Sequence, residues 1–244
     1  MKHLLFLGFF LLTSIPQASA TLYIVIKDPG SSKTAIAGIS SGPIGDTSYP
    51  TGDYKPAMQG KLNVGLVGWS GSYTSTWDAD NKQVLSMIEA GYSVQQIQDF
   101  VTKLIGNGYR RFVFIKANGE IGYVFPPSGC YYPICGVRSS ERADFLAIGG
   151  GLQPNVIEET IKLFQPILYN TTIPFECRVL HSLRIFISTG GEVKPFNTAK
   201  LGINDPINKK QLWLNAMKAS SDEYDLITEF RQQLSSEGIL CYNL

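Results

Sequence analysis

The stretch ASATLYIVIKDP, residues 18–29, contains a threonine, Thr21, that a signal-peptidase cut would make the first residue of the chain. An N-terminal threonine carries both halves of a catalytic pair, because its hydroxyl can attack a carbonyl and its own α-amine can take the proton. An α-amine has a pKa of about 7.7 to 8.0, so a usable fraction is neutral near pH 7. These residue types at this junction indicate hydrolysis of an amide bond. The alternative is that Thr21 is only the first residue of a strand, since signal cleavage often leaves Ser, Thr or Cys first.

The first 20 residues have the pattern of a secretory signal peptide. Lys2 and His3 precede an apolar run from Leu4 to Leu12, and residues 18–20, Ala-Ser-Ala, fit a small-x-small cleavage site. The apolar run is too short to span a bilayer. We therefore expect residues 1–20 to be removed, a secreted or periplasmic product, and no membrane association after cleavage. The alternative is that residues 1–20 stay attached as an anchor.

The composition argues against several classes of partner. The formal net charge is +1 and the basic residues are scattered, which does not indicate a surface for nucleic acid. His181 is the only histidine after residue 20, and it lies in a largely apolar helical run, ECRVLHSLRIFI, which favours a structural role. We expect no metal and no cofactor.

The cysteines number four, and all follow the signal segment: Cys130, Cys135, Cys177 and Cys241. In an oxidising compartment an even count favours two disulfides, with three pairings to choose from. The short spacing favours Cys130 with Cys135 and hence Cys177 with Cys241.

The segments that must position Thr21 begin with two predicted strands. Residues 21–27, TLYIVIK, end at a Pro-Gly turn, and residues 34–40, TAIAGIS, are the expected hairpin partner. A third strand is predicted over residues 62–70, followed by two helices, the second with a Ser93…Gln96 capping box. The Asn118-Gly119 pair indicates a hairpin turn inside YRRFVFIKANGEIGYVFPP.

The second half of the chain continues with both kinds of element. DFLAIGGG is typical of a strand, and helices are predicted from Pro154 to about Tyr169 and from Pro174 to Gly190. TAKLGIN indicates a last strand, and two terminal helices are predicted over 206–218 and 221–236. This order favours a layered α/β (α+β) domain with antiparallel sheets.

Several segments together resemble an uncharacterised, mainly bacterial family of unknown function with an Ntn-hydrolase-like (N-terminal nucleophile) fold. They are TLYIVIKDP…TAIAGISS, GKLNVGLVGWSGSYTSTWDADNKQVLSMIEAG, RRFVFIKANGEIGYVFPPSGC, FLAIGGGLQPNVIEETIKLF and KLGINDPINKKQLWL. Their order and spacing carry the resemblance, which covers nearly all of residues 21–244. It implies one domain, built as a four-layer αββα sandwich of two antiparallel sheets, with C-terminal helices at about 206–236.

The resemblance also implies roles for particular residues. Thr21 takes the position of the nucleophile, and the Ser40-Ser41 end of the second strand is expected beside it. Lys61 is the candidate for a lysine that lowers the α-amine pKa, and the Gly71 amide is the candidate for stabilising an oxyanion. Alternatively, Lys61 is a solvated residue at a strand start, and the serines are turn residues.

Two functions follow from these residues. The first is a secreted N-terminal-threonine amidohydrolase acting on an amide or peptide-like bond. The second is a catalytically silent protein of the same fold that binds a small ligand, peptide or cell-wall fragment. Its groove would be lined near the end of the third strand by Trp69, Ser72, Tyr73 and Trp77. Packing in the core is the alternative for at least one of these aromatic residues. The expected partner is a small-molecule or peptide substrate, and a homo-oligomer remains one option.

Overall fold

A computed structural model describes residues 21–40, 57–70, 76–106, 108, 110–126, 135–140, 142–191, 198–217 and 225–242. The predicted signal segment, Ser41, Gly71, Ser72, Tyr73 and Cys130 lie outside these ranges, as does the side chain of Cys135.

Ten strands in these ranges form two antiparallel sheets. In chain order the strands are β1 (Thr21–Lys27), β2 (Thr34–Ser40), β3 (Met58–Lys61), β4 (Gly65–Ser70), β5 (Arg111–Lys116), β6 (Ile121–Val124), β7 (Cys135–Ser139), β8 (Phe145–Gly150), β9 (Thr198–Asp205) and β10 (Lys210–Met217). The six-stranded sheet has the order β10-β9-β2-β1-β8-β7, and the four-stranded sheet has the order β3-β4-β5-β6.

Five helices are found in the described residues: α1 (Trp77–Glu89), α2 (Val94–Ile105), α3 (Val156–Leu168), α4 (Phe175–Ser188) and α5 (Asp225–Ser236). The predicted capping box opens α2, because the Ser93 side chain accepts from the Gln96 amide and the Gln96 side chain accepts from the Ser93 amide. None of these helices is long and apolar enough to cross a bilayer.

Three clusters of buried side chains hold these elements together. The first joins one face of the six-stranded sheet to α3, α4 and α5, and the second joins one face of the four-stranded sheet to α1 and α2. The third lies between the two sheets and includes Tyr23, Ile36, Leu66 and Val113. Because side chains alternate along a strand, Thr21 and Tyr23 of β1 face the space between the sheets, whereas Leu22 faces the helices. The prediction of a mixed α and β fold with antiparallel sheets is confirmed.

One predicted helix is wrong. Residues 206–218 were expected to be helical, but Lys210–Met217 form β10, which pairs antiparallel with β9. The chain turns at Pro206–Lys209, where Lys209 adopts a positive φ of 49°. Strands β3 and β7 were not predicted. Both are short, with 4 and 5 residues, which leaves little room for a periodic pattern.

The structure joins Cys177 on α4 to Cys241 near the end of the described chain through a disulfide. This pairing agrees with the prediction from spacing. Cys135 begins β7, and its predicted partner Cys130 lies outside the described residues.

Candidate functional site

Thr21 begins β1 at one end of the layer between the sheets. It pairs with Ser40 of β2 on one side and with Gly150 of β8 on the other. Its Oγ1 lies 3.0 Å from Ser40 Oγ, and Thr21 is only 5% exposed. Two hydroxyl groups therefore share a hydrogen bond at the end of the inter-sheet layer, where the chain enters its first strand.

The four-stranded sheet contributes Ser70 and Arg111 to the same end. Ser70 ends β4, Arg111 begins β5, and the two residues are paired across these strands. Ser70 lies four residues after Leu66, and Arg111 lies two residues before Val113. Leu66 and Val113 face the six-stranded sheet, and residues an even number apart share a face of a strand, so Ser70 and Arg111 face that sheet too. Ser70 is 2% exposed, and its Oγ has no hydrogen-bond partner among the described residues.

Contact between Arg111 and Gly150 links the two sheets beside Thr21. A Cβ atom built on Gly150 would collide with the guanidinium of Arg111, so the missing side chain makes the space that the guanidinium fills. Because Gly150 is the strand neighbour of Thr21, Arg111 brings a positive charge close to the threonine. Arg111 was not among the predicted site residues. The available signal was an arginine at the first inward position of RFVFIK, a strand whose other inward residues are apolar.

Lys200 is a second inward-facing basic residue, one position deeper in the layer. It pairs with Gly38 of β2, its Nζ lies 3.5 Å from the Met58 carbonyl oxygen, and it also lies 5.1 Å from the centre of the Trp213 ring. Burial lowers the pKa of Lys200 to about 8, because the charged form loses its hydration. Lys200 was not among the predicted site residues either.

Tyr23 lies next to Thr21 on the same face of β1, one step deeper between the sheets. It is two residues further along β1, is 1% exposed and packs against the position of Gly38. Burial raises the pKa of its hydroxyl, and the nearby charge of Arg111 only partly opposes that effect. Tyr23 is therefore a neutral phenol across the physiological range.

The prediction that Lys61 lies near Thr21 is wrong. The Lys61 carbonyl accepts from Asn204 at 3.5 Å, and Asn204 pairs with Thr34, at the end of β2 opposite to Ser40. Six residues of strand, about 20 Å, separate that level from Thr21. The Lys61 side chain is 53% exposed and pairs with Glu89 at 2.6 Å. Lys61 therefore forms a surface ion pair and is solvated, as in the alternative, but it ends β3 and does not start a strand.

Two of the aromatic residues proposed to line a groove, Trp69 and Trp77, lie in the core. Trp69 is completely buried and packs on Phe112, with ring centroids 4.5 Å apart, on the helix-facing side of the four-stranded sheet. Trp77 begins α1 and joins the same cluster. Neither side chain faces Thr21. Ser41, Gly71, Ser72 and Tyr73 lie outside the described residues.

His181 lies on α4, away from this site, and is half-buried. Burial, with a smaller effect of Arg184, lowers its pKa. Within the ranges that the structure describes, His, Cys, Asp and Glu side chains form no group of three or more that could hold a metal ion.

Comparison with known proteins yields a structural match and no sequence match. No family model matches the chain, and no curated protein matches it. The crystal structure of protein SPO2555 from Silicibacter pomeroyi, whose family model is DUF1028, is similar with a TM-score of 0.67. The two chains are 18% identical, and the match covers 90% of this chain and 89% of that one. At this identity the likeness shows a shared fold, and that neighbour belongs to a family of unknown function.

Proposed function

We propose that this protein is an exported amidohydrolase of the N-terminal-nucleophile type, with the four-layer αββα sandwich of that class and Thr21 as its nucleophile. The observation that carries the proposal is the position of Thr21. It is the first residue of a central strand, its hydroxyl is hydrogen-bonded to Ser40, and it lies beside the charge of Arg111. Removal of residues 1–20 in a secretory pathway would free its α-amine.

The proposed reaction uses groups at this end of the sheet. The α-amine of Thr21 takes the proton from Oγ1 as that oxygen attacks the carbonyl carbon of the amide. The C–N bond breaks, the leaving amine departs with the proton, and an ester to Thr21 remains. Water activated by the same amine then hydrolyses the ester and restores the hydroxyl. Arg111 would assume the role first proposed for Lys61, because a nearby cation lowers an amine pKa by like-charge repulsion.

A silent binding protein is the second candidate. In the chain that still carries residues 1–20, Thr21 is only 5% exposed, which favours binding over cleavage if those residues stay in place. The small-molecule or peptide ligand would then occupy the same end of the layer without being cleaved. A homo-oligomer is compatible with either function.

The test compares variants of the exported protein on a panel of amide substrates. Intact mass first establishes whether the protein begins at Thr21. Thr21→Ala should keep the fold and abolish turnover, whereas Thr21→Ser should retain part of it, because serine lacks the methyl group that restricts χ1. One extra residue before Thr21 should be as damaging as Thr21→Ala, because it converts the amine base into an amide.

The matched control is Thr102→Ala, the same change on an exposed position of α2, which should leave turnover unchanged. Equal turnover with and without the extra residue would contradict the mechanism. No turnover by the unaltered protein would favour the binding function.

A further inference from the structure

The layer between the sheets has an uneven distribution of charge. Arg111 faces it beside Thr21, and Lys200 faces it from β9, two strands away from β1. Among the ten described strands the only carboxylate belongs to Asp205, which lies on the opposite face of β9, where its Oδ2 is 3.3 Å from Lys33 Nζ. The described strands therefore contribute cations to this layer and no anion. The positive potential of these side chains favours an anionic ligand at the Arg111 end.

Ser70 gives an independent indication of a ligand. Buried hydroxyl groups nearly always have a hydrogen-bond partner, yet Ser70 Oγ has none among the described residues. It is the strand neighbour of Arg111 and faces the same space. A hydroxyl beside a guanidinium suits a carboxylate, because an ionised carboxylate offers about four lone-pair positions and accepts two bonds from an arginine at once.

The strand register limits the length of the ligand. The guanidinium fills the space of a side chain at Gly150, and paired residues in an antiparallel sheet have Cα atoms about 4.5 to 5.5 Å apart. A carboxylate held by Arg111 is therefore only a few bonds from a carbonyl held at Thr21. Succinyl and glutaryl groups have this length, whereas long fatty acyl chains do not provide a carboxylate there.

We propose that the acyl group accepted at this site is a short one with its own terminal carboxylate, which Arg111 binds through both nitrogens while Ser70 donates a further hydrogen bond. This inference rests on the function proposed above, because it assigns the substrate class of the same site. Lys200 adds to the positive potential without contacting the carboxylate directly.

The experiment measures binding in the absence of turnover. Protein beginning at residue 21 and carrying Thr21→Ala is titrated calorimetrically, at fixed ionic strength, with glutaric acid monoamide and with the neutral diamide, glutaramide. The monoamide should bind roughly tenfold or more tightly, the size expected for charge-assisted hydrogen bonds. Arg111→Met in the same background should remove that preference, and Ser70→Ala should weaken binding of the monoamide alone.

The matched control is Arg110→Met, at the neighbouring residue. Arg110 lies over Trp69 on the other face of the sheet. Its replacement should therefore leave the preference for the monoamide unchanged. If Arg111→Met does not fold, Arg111→Lys serves in its place, because lysine keeps the charge and cannot form the bidentate hydrogen bonds to a carboxylate. Equal binding of the two amides, binding of neither, or an unchanged preference in the folded Arg111 variant would overturn the inference.

Turnover by the protein with Thr21 intact separates this inference from the proposed function. Preference for the anionic amide without any hydrolysis would support the carboxylate-binding site and contradict the proposed hydrolase function. Hydrolysis of neutral and anionic acyl groups at equal rates would support the hydrolase function and contradict the carboxylate-binding site.

Discussion

At the scale of single residues, Gly150 is the position beside Thr21 where the Arg111 side chain from the other sheet fills the space of a missing side chain. Gly150→Ala puts a methyl group into the space of the Arg111 guanidinium. Overpacking of this kind costs about 1 to 3 kcal/mol in the free energy of unfolding. Urea denaturation should show a loss of stability in that range, and glutaric acid monoamide should bind more weakly.

Gly136→Ala is the control for this change, because Gly136 faces Gly149 from the adjacent strand β7. A Cβ there would meet only Ile157 Cδ1 at 3.6 Å, an ordinary contact. Its stability should be within about 0.5 kcal/mol of the unaltered protein, as for mutations away from tightly packed features. Equal effects of the two substitutions would show that Arg111 does not occupy the space at Gly150.

Lys200 provides a pH-dependent prediction. Its pKa is lowered from 10.5 to about 8, so below pH 8 the folded protein carries a dehydrated charge. Between about pH 8 and 10.5 the unfolded chain holds more protons than the folded one, so stability increases with pH in that window. Lys200→Met should therefore stabilise the protein below pH 8, by on the order of 1 to 2 kcal/mol after the loss of its contact with Trp213. That advantage should shrink toward pH 10.5.

Urea denaturation at pH 7 and pH 10 measures this difference. The control is Lys103→Met, on the exposed face of α2. Its effect on the free energy of unfolding should be the same at pH 7 and at pH 10. A Lys200→Met protein that is less stable at pH 7 would contradict the prediction.

The same residues show how far the sequence determines the site. Thr21 and Ser40 were predictable as neighbours, because a hairpin with a short turn fixes which strand ends meet. Arg111 and Lys200 were not predictable, since their approach to Thr21 depends on how one sheet lies over the other. The prediction for Lys61 failed for the same reason, because nothing local specifies that the Lys61 end of β3 lies at the far end of the layer.

At the scale of elements, β10 shows tertiary pairing overriding local preference. KQLWLNAM contains good helix formers, and the sequence analysis predicted a helix. In the structure Leu214 and Ala216 face the helices, Trp213 faces the other sheet, and every residue pairs with β9. The alternation was present in the sequence, but eight residues support a helical pattern almost as well.

The turn between β1 and β2 is fixed to α4 by a buried ion pair. Arg178 Nη2 lies 2.8 Å from Asp28 Oδ1, and Arg178 also donates to the carbonyls of Ile173 and Leu168. Arg178→Met would leave the Asp28 carboxylate buried without its cation, which costs about 3 to 5 kcal/mol. Urea denaturation should show that loss.

Arg138→Met is the control for the buried pair. Arg138 and Glu158 are 3.2 Å apart, but both side chains are more than half exposed, so the loss should be about 0 to 1 kcal/mol. A loss of similar size in Arg178→Met would contradict the assignment of the Asp28 pair as buried. Replacing Asp28 and Arg178 together by uncharged residues should cost less than Arg178→Met alone.

At the scale of the whole molecule, the sequence predicts whether a segment is a helix or a strand better than it predicts which strands pair. Strands β1 and β2 have their predicted bounds, and the hairpin around Asn118-Gly119 is present. The placement of β8 beside β1 and of β9 beside β2 joins segments separated by more than 100 residues, which no local pattern encodes. The core between the sheets therefore depends on long-range pairing.

The Cys177–Cys241 disulfide is a further long-range link, because it joins α4 to the chain after α5 across a sequence separation of 64. A cross-link over a loop of that length stabilises a protein by about 4 kcal/mol in the chain-entropy model, mainly by restricting the unfolded chain. The variant carrying Cys177→Ala and Cys241→Ala should therefore unfold at lower urea concentration, with a loss of about 2 to 4 kcal/mol. Reductant added to the unaltered protein should reproduce part of that loss, and the same reductant should affect the double variant much less. An unchanged midpoint in the double variant would show that the bridge adds nothing to the stability of the folded chain.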